Sequence, residues 1–236
     1  MKSLLTLPLL PLVLVACTTP PMSTTTATTT TTTDSEMHHH GHHQHGDHRF
    51  TDAATWSKQF DAPERDAWQK PDDVIAALHV PPDAVIADVG AGTGYFATRL
   101  ARAAPQGRVV GVDVEDDMVR FLNERAAQAG LANLQGRKSP TDHAAIDDGT
   151  DLVLVVNTYH HMTDRVAYFK AMLPQWSARG RLAIVDFRVD SERGPPAAMK
   201  VGDATVEGEL RAAGYAIVER HDFLPDQYFL VFAPQR

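Results

Sequence analysis

Three glycines spaced two apart, Gly90, Gly92 and Gly94, stand between a short apolar run, Val85–Val89, and a segment of helical character from Thr93 to about Ala104. Glycines at this spacing let the backbone turn tightly and let a ligand approach it. The helix that follows aims free N–H groups at an anion. Asp88, two residues before the first glycine, is placed to accept hydrogen bonds from a ligand ammonium or from the amides of the turn. Asp113 closes the next apolar run about twenty residues further on, where an acidic side chain takes both hydroxyls of a ribose. These residues describe a pocket for a nucleoside with a charged tail. The rival is a dinucleotide site of the G-x-G-x-x-G kind, but the sixth position from Gly90 is Tyr95, and that fingerprint has no acid two places before its first glycine.

A second group, Asn157-Thr158-Tyr159-His160, follows Leu152–Val156, an unbroken apolar run that suits a fully buried central strand. Asn157 is thereby a candidate cofactor contact and His160 a candidate general base, since an unperturbed imidazole titrates near about 6.5. The alternative for His160 and His161 is that they cap and pack the helix expected over Thr163–Trp176. Trp56, Phe60 and Trp68 either roof an acceptor or pack an N-terminal helix, expected over Pro63–Leu78, onto the sheet.

The elements that must hold these groups alternate. Strands are expected at 85–89, 108–114, 134–138, 152–156 and 181–187, with helices at 116–129, 163–176 and 201–213 among them. Such alternation argues for a parallel sheet covered on both faces. The last two runs, Tyr215–Phe223 and Tyr228–Phe232, are too close for a crossover helix and must pair antiparallel. The fold class is α/β, a doubly wound Rossmann-like sheet ending in an antiparallel hairpin.

The first fifty of the 236 residues differ from the rest. Lys2, the apolar run Leu4–Ala16 and Cys17 have the layout of a secretory signal, too short to span a bilayer permanently. Leu14-Val15-Ala16-Cys17 resembles the bacterial lipobox, which implies lipidation of Cys17. With Thr18 next, it implies an outer-membrane anchor facing the periplasm. A cleaved signal leaving an incidental cysteine is the alternative. Residues 18–49 are a Thr-rich and then His-rich tether that cannot bury a core. His38, His39, His40, His42, His43, His45 and His48 can gather a divalent transition metal, or serve as a polar spacer. The net charge of −8 and the lack of a basic stripe disfavour a nucleic-acid partner.

Residues 50–236 are expected to form one domain, which from about Trp56 to Phe232 resembles class I S-adenosylmethionine-dependent methyltransferases, in particular small ones from uncharacterised bacterial lipoproteins. The similar stretches are FDAPERDAWQKP, DVGAGTGYF, NTYHHM, IVDFR and HDFLPDQYFLVF. The resemblance implies S-adenosylmethionine as cofactor and a strand order of 3-2-1-4-5-7-6. It places Ser139–Asp142 beside the adenine, with Asp142 on its exocyclic amine or else in a solvated loop. Asn157 is not followed by the Pro-Pro-aromatic run of amine and amide methylases, so a small-molecule acceptor methylated on oxygen or sulfur is expected. An outward-pointing signal contrasts with a cofactor made in the cytoplasm. The rival reading is therefore a tethered metal-binding envelope protein that keeps the fold without catalysis.

Overall fold

The computed structural model describes residues 50–235; Cys17 and the histidines of 38–48 lie outside them. Seven strands form one sheet: β1 (Val85–Val89), β2 (Arg108–Asp113), β3 (Leu134–Lys138), β4 (Thr150–Val156), β5 (Trp176–Phe187), β6 (Tyr215–His221) and β7 (Gln227–Pro234). Their order is β3-β2-β1-β4-β5-β7-β6, as expected. Strands β1 to β5 pair parallel, and β7 enters antiparallel between β5 and β6.

Each face of the sheet carries its own core, sorted by the two-residue period of the strands. Ile86, Leu152 and Leu154 pack toward Val74, Leu100 and Leu122 of α3 (Pro71–Ala77), α4 (Ala97–Ala103) and α5 (Asp116–Gln128). Ala87, Val89, Val153 and Val155 pack toward Phe169 and Leu210 of α6 (Arg165–Ala171) and α7 (Asp203–Ala212). Every residue of β4 is buried, which accounts for its uninterrupted apolar run. Asp88 shares the face of Ile86, so the period of β1 sends its carboxylate under α4 rather than into solvent.

Several boundaries differ from the sequence expectation. The helix expected over 63–78 is two, α2 (Arg65–Gln69) and α3, broken at Lys70 with φ 44°. Pro71 causes the break, because a proline disfavours the helical region for the residue before it yet suits a first turn. Helix α4 starts at Ala97 rather than Thr93, since Gly94 holds φ 87°. Helix α6 ends at Ala171, and Leu173–Gln175 forms a 3-10 turn around Pro174; Trp176 therefore opens β5, paired with Thr150. An additional helix, α1 (Ala53–Phe60), is capped by Asp52, which accepts from Thr55 N at 3.3 Å and Thr55 Oγ1 at 2.7 Å.

Candidate functional site

Asp88, the three glycines, Asp113 and Asn157 lie at the carboxyl ends of β1, β2 and β4, where the strand order reverses and open α/β sheets bind ligands. Gly90 and Ala91 donate N–H groups to Val112 O at 2.9 and 3.1 Å, folding the turn back over β2. Gly90 has φ 73°, and a Cβ there would sit 2.3 Å from Thr158 Oγ1, so only glycine fits between the β1 and β4 ends.

Asp113 is built into the turn. Its two carboxylate oxygens accept from Gly92 N at 2.8 Å and Glu115 N at 2.9 Å, while burial raises its pKa above the usual carboxylate value. Asp88 is more deeply buried, and burial pushes its pKa up to about 7 against the opposing pull of the Ala97 N–H and the Arg65 charge. The first amide of α4 is therefore given to Asp88. Gly90, Ala91 and Gly92 are committed elsewhere, and Gly94 N donates to Ala91 O. The turn thus uses the amides of Gly90, Ala91, Gly92 and Gly94 for its own internal bonds.

Asn157, at the end of β4 with φ 54°, joins a ring of side-chain amides that sequence inspection did not single out. Its Nδ2 donates to Gln69 Oε1 at 3.2 Å, Gln69 Nε2 donates to Gln227 Oε1 at 2.5 Å, and Gln227 Nε2 returns to Asn157 Oδ1 at 2.5 Å. Gln69 and Gln227 are both fully buried. The ring ties the end of α2 and the start of β7 to the switch point.

His160 sits in the 3-10 turn Tyr159–His161. Its Nδ1 lies 2.9 and 3.0 Å from the two oxygens of Asp186, near the end of β5, and its backbone N–H donates to the same carboxylate at 3.2 Å. Both side chains are buried, at 4% and 3% exposure, so solvent competes little for the contact. Asp186 was missed because it lies far along the chain, although IVDFR is among the stretches that carry the family resemblance. His161 packs edge-on against Phe50, with ring centroids 5.5 Å apart. Phe50, Trp56 and Phe60 cluster with centroid separations of 4.9, 5.7 and 5.5 Å, and the Phe60 ring lies 3.5 Å from where a Gly92 Cβ would be. Trp68 stands apart from them, against Phe187 at 5.8 Å and beneath Arg193 at 4.8 Å.

Asp142 is not gathered in. It is exposed in the loop after β3 and bonded to His143 Nδ1 at 2.8 Å, which lowers its pKa. Ser139 anchors that loop, donating its N–H to Asp113 O at 2.9 Å and accepting from Ala145 N at 3.0 Å. Among the described residues no group of three potential metal ligands occurs, and no helix is long and apolar enough to cross a membrane. Two buried side-chain polar atoms among the described residues lack a hydrogen-bond partner, Thr93 Oγ1 and Arg65 Nε. Thr93 lies within the glycine turn, and Arg65 stacks on Tyr95, which follows it. Unmet hydrogen-bonding capacity beside a turn closed to side chains fits a ligand seated there.

A doubly wound sheet with this strand order and an acid-flanked glycine turn is a Rossmann-like methyltransferase fold. The chain belongs to the methyltransferase-domain family, which residues 82–217 match. It is similar to a trans-aconitate 2-methyltransferase of Afipia carboxidovorans, 29% identical over 42% of this chain and 37% of that one. A ribosomal RNA small subunit methyltransferase A of Salinibacter ruber is 30% identical over 40% and 31%. A malonyl-[acyl-carrier protein] O-methyltransferase of Methylococcus capsulatus is 32% identical over 58% and 44%. The chain thus spans less than half the length of these curated relatives. The crystal structure of a SAM-dependent methyltransferase from Aquifex aeolicus shares the fold, with a TM-score of 0.70 and 22% identity over 77% of this chain and 97% of that one.

Proposed function

We propose that this methyltransferase acts on the hydroxyl or thiol of a small acceptor, with His160 as general base, and that a lipid on Cys17 holds it in the bacterial envelope. One observation carries the chemistry: Asp186 binds Nδ1 of His160 and so leaves Nε2 as the proton acceptor. S-adenosylmethionine supplies the electrophilic methyl group when bound. Asp113 takes its ribose, Asp88 its ammonium, and Asn157, held by the amide ring, the region between sulfonium and acceptor. Phe50, Trp56 and Phe60 exclude water above the glycine turn. A carboxylate acceptor has no proton to lose at neutral pH, so a buried Asp-held imidazole favours hydroxyl and thiol acceptors over the acids in the relatives' names. The net charge of −8 favours them over RNA. Methyl transfer from labelled cofactor to a panel of phenols, catechols, thiols and quinols, with trans-aconitate and a malonyl thioester alongside, tests the reading. Transfer only to the acids would overturn it.

Asp88 makes cofactor affinity depend on pH. Its pKa of about 7 belongs to a carboxylate without a ligand, and an ammonium beside it favours the ionised form. Binding therefore releases protons near neutrality. Affinity should fall by up to roughly tenfold for each pH unit below 7 and level off above it. Calorimetry in buffers of different ionisation enthalpy measures both effects; a flat profile between pH 5.5 and 8 would remove Asp88 from contact with the ammonium.

The anchor is tested by Cys17→Ser, which should leave the precursor uncut or release the protein from membranes, whereas wild type should fractionate with them and take up acyl label. We also propose that His38–His48 bind a divalent transition metal independently of catalysis. Deleting 18–48 should abolish retention on a nickel column without changing the thermal midpoint.

A further inference from the structure

Between α3, α4 and the end of α5 lies a cavity of about 560 Å³, away from the strand ends that form the site described above. Its charged lining is Arg99, Arg102 and Arg125 against the single carboxylate of Asp72, in a chain whose net charge is −8. Asp72 balances little of this: its side chain is 92% exposed, and its oxygen is 3.5 Å from Arg99 Nε. Arg99 is held from outside the cavity by Asp66 at 3.1 Å and Arg125 by Asp61 at 2.8 Å. Among the described residues no carboxylate pairs with Arg102, whose Nη1 reaches only Thr98 O at 3.5 Å. The bonds of Arg125 both use Nη1, which leaves Nη2 and Nε for another acceptor.

The same lining holds the glycine turn from the helix side. Arg125 donates to Thr93 O at 3.0 Å, Thr98 Oγ1 to Gly94 O at 2.9 Å and Arg99 Nη1 to Tyr95 O at 2.9 Å. Three consecutive carbonyls of the turn thus depend on side chains that border the cavity. Arg125 also borders a second cavity of about 320 Å³ beside Lys58 and Asp61, so space lies on both sides of its guanidinium. Its partner Asp61 caps α1 directly after Phe60, the ring that lies over Gly92.

We propose that the larger cavity is a second ligand site, for a small anion with two or more phosphate or carboxylate groups, and that filling it weakens cofactor binding. The planar forks of arginine suit either group. A monoanion gains little, because Asp61 and Asp66 already hold two of the three cations. A multiply charged ligand adds the unpaired Arg102 and competes with Asp61 and Thr93 O for Arg125. Drawing Arg125 away releases the end of α1 and one carbonyl of the turn, so the cover over Gly92 loosens. Coupling of this kind is reciprocal: bound cofactor lowers affinity for the anion by the same factor. The coupling rests on the cofactor lying at the glycine turn; the anion site does not.

The test is calorimetric titration of the metal-free, full-length chain with pyrophosphate and with citrate at constant ionic strength, the two probes separating phosphate from carboxylate recognition. At least one should bind saturably. Arg102→Gln should weaken that binding by about tenfold or more, and Arg102→Lys by less, since lysine keeps the charge but not the fork. Asp72→Asn should tighten it. Saturating anion should lower wild-type affinity for S-adenosylhomocysteine by about five- to tenfold. Arg102→Gln should bind S-adenosylhomocysteine normally without anion and respond less to it. No saturable binding of either probe, or binding that Arg102→Gln leaves unchanged, an adventitious ion only, would overturn the site. Anion binding with no change in S-adenosylhomocysteine affinity would overturn the coupling. Failure of wild type to bind S-adenosylhomocysteine in the absence of anion would instead overturn the cofactor site on which the coupling rests.

Discussion

His160→Ala should lower turnover by about 10²- to 10⁴-fold on the best acceptor, the range a positioned general base contributes, and leave cofactor affinity unchanged. The buried contact with Asp186 strengthens the expectation, because it fixes the ring and directs Nε2 away from β5. Asp186→Asn should produce a smaller loss of turnover, since a neutral partner holds the ring N–H less firmly than a carboxylate does. Asparagine is preferable to alanine here, because Asp186 also accepts from the backbone N–H groups of His160 and Phe187, and alanine would leave both unpaired. His161→Ala should be tolerated, its ring being turned toward Phe50. Near-normal turnover of His160→Ala would make the histidine a structural cap whose acceptor loses its proton to water.

Asp113→Ala should weaken cofactor binding by about 1.5–3 kcal/mol, or roughly ten- to a hundredfold, as the hydrogen bonds to a charged group are lost. The same carboxylate braces the turn through Gly92 N and Glu115 N, so the thermal midpoint should also fall. Asp113→Asn separates the two roles. Its amide keeps one acceptor but turns a donor toward one of those two N–H groups, so it should retain part of the fold stability while losing most of the ribose contact. Calorimetry and thermal unfolding on both variants measure the split. Unchanged affinity in Asp113→Ala would move the ribose away from β2.

The parts of this site that could be read from the sequence are those held by short-range pattern. Asp88, the three glycines and Asp113 fall within one strand–turn–helix–strand unit, and Asn157 and His160 follow a run apolar enough to mark a central strand. The hairpin at the end followed from the shortness of its connection. The residues left unread are joined by topology alone: Asp186 lies 26 positions beyond its histidine, and Gln69 lies 158 positions before Gln227. No periodicity connects such pairs. Even so, Arg65, Gln69, Asp186 and Gln227 all fall within the stretches that carry the family resemblance. Helix α1 escaped notice because it is short and half polar, and its stability comes from the Asp52 cap and from aromatic packing across the glycine turn. The misplaced boundaries at Lys70 and Trp176 reflect prolines whose effect on neighbouring residues outweighed helical periodicity.

The amide ring has a consequence for how the domain gains and loses order. Gln69, Asn157 and Gln227 come from early, middle and late positions in the domain, so the ring closes only when β7 has entered the sheet and α2 has settled on its edge. A partly folded chain with β1 to β4 paired would own a glycine turn but no bracket across it. Partial opening at either end therefore costs the site its closure, and ligand binding draws the N-terminal helices and the terminal hairpin into one cooperative unit. In hydrogen exchange, S-adenosylhomocysteine should slow the amides of α2 and β7 together, although no stretch of backbone joins them directly.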